Sequence, residues 1–365
     1  MDRRITAFVP CLLSISSLDR LNRRVAEAGA DAGTIASVRS AAGDVTTTTD
    51  ARGITSTVAR DSPGRVVSVT PQGSAAVSYA YVPNTPKNLL SSMADPSGST
   101  AWTYDAQGRM MSKTQVTGVA GSSTSRTVSV SRDGIGRVSS MTYPSGMRVD
   151  VIYNGDVVSA IAVNGSNLLS GVSYLPMSPI STGWTWGNDS AYNRSFDADG
   201  RVTNVNLGSV QRSYSYDAAG RLTGQAAVGP TGAVSSSFAY DEAGQLTNYS
   251  GPVGSFSYDY DSNGNRRRTV RNGYASTMTY SPGSNRMLSS PRGSYSYDAA
   301  GNPTTDGYLS YGYDSFGRLS SMVTPDDRSN RSYNGQGLRV RSVVDQWISN
   351  VIQQGMSPAS IREHS

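Results

Sequence analysis

Aspartate beside glycine at short, regular spacing is the nearest this chain comes to a chemical pattern. Several chemistries would use such residues. General acid–base catalysis needs two carboxylates that face one another, and aspartate is plentiful enough to supply them. The stretch Asp259-x-Asp261-x-Asn263-Gly264 copies the opening of a calcium loop, but Val270 stands at the twelfth position, where a bidentate glutamate is required. The only histidine, His364, lies next to the C-terminus, which leaves no Ser-His-Asp or Cys-His constellation. The single cysteine, Cys11, excludes an internal disulfide framework and a CxxC zinc site. Gly118–Gly121 lacks the lysine and hydroxyl residue of a phosphate loop. Asp150 and Asp156, in a less regular block, belong to no catalytic motif. The expectation is no enzyme, no cofactor and no metal.

The aspartates have a simpler use, because they recur in one seven-residue phrase. It is written around Tyr104, Asp105 and Gly108; Tyr216, Asp217 and Gly220; and Tyr240, Asp241 and Gly244. It returns around Tyr260, Asp261 and Gly264; Tyr297, Asp298 and Gly301; and Tyr313, Asp314 and Gly317. Looser copies hold Tyr333 with Gly337, Asp197 with Gly200, and the segments from Arg132 and Arg60; the earliest copy is Asp50 to Gly53. Asp-x-x-Gly suits a tight turn: the carboxylate bonds backbone ahead of it, and glycine takes backbone angles that strain other residues. Alternating runs such as Ser213-Tyr214-Ser215-Tyr216 lead into the turn, and runs such as Arg221-Leu222-Thr223 lead out. Period-2 alternation marks a strand with two unlike faces, so each copy is a hairpin. From Asp197 the turn positions advance by 20, 24, 20, 37, 16 and 20 residues, and the long step hides a decayed copy at Tyr280–Leu288. About 20 residues suffice for two short strands and two turns. A repeat architecture follows.

Composition agrees. The chain holds 38 Gly and 21 Tyr against 5 Phe, and 14 of the tyrosines lie after residue 200, where the copies are clearest. Apolar content of 37% is low for an ordinary domain, and the aromatic face argues against disorder. Net charge is +5, and 30 of 32 basic residues are arginine, which follows the turn glycine repeatedly. Arg266–Arg268 with Arg271 is the one dense run, a solvated strand end and not a nucleic-acid patch. No apolar run approaches the ~20 residues of a membrane-spanning helix. Residues 1–18 have the layout of a signal peptide but no small-x-small site before Asp19.

The recurrent YDxxGRL phrases, and the block DPSGSTAWTYDAQGRM from Asp95, resemble Rhs/YD repeats over roughly residues 46–345. Such repeats occur in bacterial Rhs proteins, in the toxin-encapsulating subunits of insecticidal toxin complexes, and in animal teneurins. The resemblance implies an all-β fold: tandem YD-repeat hairpins in a spiralling antiparallel β-sheet, an incomplete wall of a hollow shell. It further implies a scaffold that encapsulates or delivers a toxin, with the toxin domain or the remaining Rhs core on another chain, and a secreted or cell-surface location. The Arg-Tyr-Tyr-Asp-Pro-rich core and terminal Asp-Pro-x-Gly-Leu of full-length bacterial relatives are missing, and Asp95–Gly98 is only a turn. An alternative is a secreted binding module for carbohydrate or a partner protein, with Trp184 and Trp186 on one strand face; another is a truncated piece without independent function.

The expected organisation is a non-repeat segment at 1–45 with one short helix over Leu18–Ala32, a repeat array at 46–345, and a non-repeat tail at 346–365. Within the array, 144–192 is irregular and 193–345 most regular.

Overall fold

A computed structural model describes residues 3–5, 14–85, 87–119, 122–325, 327–346 and 362–363. Every regular element among them is a strand. Strands from Arg3–Ile5 to Tyr274–Thr277 form a 26-stranded sheet; Thr279–Tyr280 opens a 3-stranded sheet and Ser296–Tyr297 a 7-stranded one.

Pairing is antiparallel between chain neighbours, as the strand Val210–Tyr216 illustrates. It pairs on one side with Val202–Leu207 and on the other with Leu222–Gly229, which in turn pairs with Gly232–Tyr240. In Val210–Tyr216 the half-buried positions are Val210, Arg212, Tyr214 and Tyr216, while Gln211, Ser213 and Ser215 are exposed. The period-2 pattern is thus realised as an aromatic face and a small polar face. The two ends of each hairpin differ. One end carries the Asp-to-Arg loop, with a bulge where Tyr216 pairs Leu222 and Ser215 pairs Gly224. The other end is a two-residue turn, as at Leu207↔Val210, Gly229↔Gly232 and Gly251↔Gly254.

The chain divides into two compact units. One comprises 1–109, 113–126 and 277–365; the other comprises 110–112 and 127–276. The first draws its core from Val77, Met93 and Met278, and the second from Val130 and Ala162. In the first unit, copies distant in sequence meet. A Cβ on Gly335 would collide with Val77 and Met93, so the turn after Tyr333 packs onto the early strands.

The helix expected over Leu18–Ala32 does not form. Ile15–Leu18, Arg24–Gly29 and Gly33–Arg39 are paired strands. Asp19 and Arg23 close a hairpin between the first two strands, within the segment that would have been the amphipathic helix. Paired strands thus extend into the segment before residue 46. Most of the tail at 346–365, with His364, and Cys11 lie outside the described residues.

Candidate functional site

The recurring turn is the natural place to look for function, because it pairs a carboxylate with a guanidinium in copy after copy. At Asp217, the Gly220 N–H donates to the Asp217 carbonyl at 3.0 Å, and the Asp217 N–H to the Arg221 carbonyl at 2.9 Å. The carboxylate then fills the loop. Its Oδ1 accepts from the Ala219 and Arg221 amides at 3.0 and 2.9 Å, and its Oδ2 from Arg221 Nε at 2.7 Å. Gly220 has φ 78°, in the left-handed region that favours glycine.

This Asp–Arg pair recurs with the same four-residue spacing at Asp19, Asp61, Asp105, Asp133, Asp197, Asp217 and Asp314. At Asp261 and Asp298 an asparagine takes the arginine's place, with Asn265 and Asn302 Nδ2 at 3.1 and 2.9 Å from the carboxylate. Asp241 keeps the backbone bond from Gln245. Asn334, fully buried, stands in for aspartate before Gly337 and accepts from the Gln336 and Leu338 amides. Hydrogen bonds from the Arg109, Arg201 and Arg221 amides hold the carboxyls of Asp105, Asp197 and Asp217 below their ordinary value. The Arg137 guanidinium does the same for Asp133.

The phrase's tyrosine reaches backward. Tyr216 Oη donates to the Val202 carbonyl, Tyr240 to Leu222, Tyr260 to Leu246, Tyr313 to Pro303 and Tyr333 to Leu319, all at 2.8–2.9 Å. Tyr104 and Tyr297 bond the Leu90 and Met287 carbonyls. Each acceptor in the first group sits one residue after the preceding copy's Arg, Gln or Asn position. Burial pushes the phenols of Tyr104, Tyr260, Tyr297 and Tyr313 up, so they remain donors. The guanidinium of one copy lies over the tyrosine of the next: Arg201 over Tyr216 at 5.1 Å, Arg221 over Tyr240 at 5.0 Å, Arg318 over Tyr333 at 5.1 Å. Arg221 and Arg318 also donate to the carbonyls of Asp241 and Asn334 in the following turn. One residue triplet, Asp, Arg and the next Tyr, thus staples copy to copy.

Within the first unit a second set of bonds joins copies far apart in the chain. Arg52, paired with Asp50, donates to the carbonyls of Asp314 and Ser315 at 2.9 and 3.3 Å. The Asp31 carboxylate accepts from the Asn285 amide at 2.8 Å, and its carbonyl accepts from Arg286. Asp95 Oδ2 accepts from the Gly335 amide at 2.8 Å. Together these form a seam.

The other sequence candidates are also placed. Asp261 Oδ1 is occupied by the Asn263 and Asn265 amides, and Asp259 lies 3.4 Å from Arg268, so this segment is a turn. No group of three or more His, Cys, Asp or Glu side chains suited to a metal occurs among the described residues. Asp150 pairs with Arg148, and Asp156 is fully exposed; the two share no site. Arg266 and Arg271 lie over the rings of Tyr258 and Phe256. Trp184 and Trp186 share a face, with centroids 5.5 Å apart, and Trp184 is stacked on Tyr192 at 3.9 Å. No described helix is long and apolar enough to cross a membrane.

Sequence reasoning missed the turns that keep the backbone bonds without the aspartate. Tyr143 and Trp186 each accept in the aspartate's place and close the same kind of loop, with their amides donating to the Met147 and Ser190 carbonyls, and Leu175 closes a loop one residue longer onto the Ile180 carbonyl. At Tyr143 and Trp186 the signal is a residue tolerant of positive φ, Gly146 or Asp189, whereas the Leu175 turn places Met177 at φ 56°.

Residues 231–338 match the family model described as Teneurin YD-shell, and residues 86–123 and 196–234 match the RHS Repeat model. No curated protein matches the chain. Among solved structures, that of TcdB2-TccC3-TEV matches with TM-score 0.79 and 17% identity, over 93% of this chain and 21% of that one. TcdB2-TccC3 without its hypervariable C-terminal region gives 0.81 and 17% over 93% and 20%. The Photorhabdus luminescens Tc holotoxin pore gives 0.79 and 17% over 94% and 20%. The likeness is one of fold, and the chain spans about a fifth of the length of these proteins.

Proposed function

We propose that this chain, an Rhs/YD-repeat protein over residues 86–123 and 196–338, is a non-catalytic wall segment of a shell that encapsulates or delivers a toxin. The observation that carries the reading is the staple. The carboxylates, guanidiniums and phenols of the recurring phrase are engaged in closing each turn and joining it to the next copy. A fold shared with Tc toxin structures supports the toxin context. The partner in this reading is a toxin domain or the remaining Rhs core.

A secreted module that binds carbohydrate or protein is the second reading. Against Trp184 as its platform stands Tyr192, which already covers one face of that ring.

Encapsulation is tested by fusing a protease-labile reporter after Ser365 and timing its digestion. Reporter cleavage markedly slower than that of the free reporter is expected. Equal rates would remove encapsulation by this chain alone.

A further inference from the structure

The first unit contains a cavity of about 730 Å³ lined by nineteen residues, among them four arginines and a single carboxylate. That carboxylate, Asp314, is already paired with Arg318 at 2.7 Å. Arg126 and Arg331 stand in no ion pair among the described residues, and Arg331 Nε is buried without a hydrogen-bond partner. Strand alternation aims several of these groups together. Ser122, Thr124 and Arg126 share one face of the strand Ser122–Arg132. Arg331 pairs with Ser342 across the ladder, so those two also share a face. Phe316 and Tyr333 flank Arg318, which lies 4.7 and 5.1 Å from their rings.

We propose that this cavity binds an acidic sugar, a uronate-type saccharide. Guanidiniums in excess over carboxylates inside a concave wall attract an anion, and the planar fork of arginine matches a carboxylate. Eight of the nineteen lining residues are serine or threonine, suited to a ring of hydroxyls. The exposed ring of Phe316 offers an apolar face for a sugar ring. The aliphatic lining amounts to Pro96 and Val340, too little to favour the side chains of an acidic peptide. The volume falls within the roughly 300–1,000 Å³ usual for ligand pockets. This inference is independent of the shell reading.

Titration calorimetry of the full chain with trigalacturonate, neutral trigalactose and triglutamate tests it. Trigalacturonate should bind and trigalactose should not. Arg126→Gln and Arg331→Met should each weaken binding roughly tenfold, while Arg268→Gln, outside the cavity, should leave it unchanged. Arg126 is exposed, so its variant keeps the test valid if Arg331→Met fails to fold. The proposal is overturned by absence of trigalacturonate binding at millimolar concentration, by equal binding of the neutral sugar, by tighter binding of triglutamate, or by indifference to both cavity substitutions.

Discussion

Asp217 shows why one carboxylate recurs through the chain. Two backbone amides and a guanidinium converge on it, and all three favour its charged form. The Arg221 amide leads in lowering its carboxyl below the ordinary 3.8. The sign of the pH dependence follows. A carboxyl depressed in the folded state stabilises fully above its unfolded value and loses that contribution as pH falls through the folded one. Asp19, Asp105, Asp133 and Asp197 behave alike. At Asp61 and Asp261 burial is the largest single influence and opposes the shift, but the hydrogen bonds together outweigh it. Urea midpoints should therefore hold from neutral pH down to about pH 4 and drop below it. Asp217→Asn should lower the neutral midpoint and shrink the acid-induced loss; a variant with an unchanged acid loss would show that the pair does not titrate as argued. The aspartates were legible in the sequence as turn residues. Their arginine partners were not, because the spacing announces a loop but not which way a guanidinium folds back.

At the scale of the hairpin, glycine sets the loop. Gly220 sits at φ 78° while Ala219 has negative φ. Gly220→Val should cost about 1–3 kcal/mol, and Ala219→Val should stay within about 0.5 kcal/mol. Equal melting temperatures for the two variants would refute the turn assignment. The same position explains where the hairpins were and were not readable. Copies with Tyr, Asp and Gly together could be found by eye. The first turn uses Asn22 at φ 62° in the glycine's place, with Asp19 and Arg23 bonded as elsewhere. Asparagine tolerates that region, so the backbone survived while the motif faded, and a helix was expected instead. At Tyr143 and Trp186 the aspartate carboxylate is absent, and the Ser145 and Asn188 side chains accept from the Met147 and Ser190 amides instead, so the Tyr-Asp signature is missing from the sequence.

In the first unit, order along the chain and order in space part company. Arg52 joins a turn 262 residues away, and Asp31 and Asp95 make joins of comparable reach. None of this was legible in the sequence, since local alternation fixes a strand's faces but not which distant turn meets it. Arg52→Ala should remove the bonds to Asp314 and Ser315 at a cost of about 1–3 kcal/mol. Amide exchange should then quicken at the turn from Asp314 to Arg318 and stay unchanged at the turn from Asp241 to Gln245. Uniform acceleration across both turns would mean that Arg52 supports the fold generally and not the seam.

The staple and the seam constrain inheritance in opposite ways. A staple is an agreement between adjacent copies, the same at Arg201 and Tyr216 as at Arg221 and Tyr240. Duplicating or losing one whole copy leaves every remaining arginine with a following tyrosine, so copy number can drift without any residue having to change. The seam offers no such freedom. Arg52 and Asp31 answer to particular turns near the other end of the chain, and a lineage can alter one side only in step with the other.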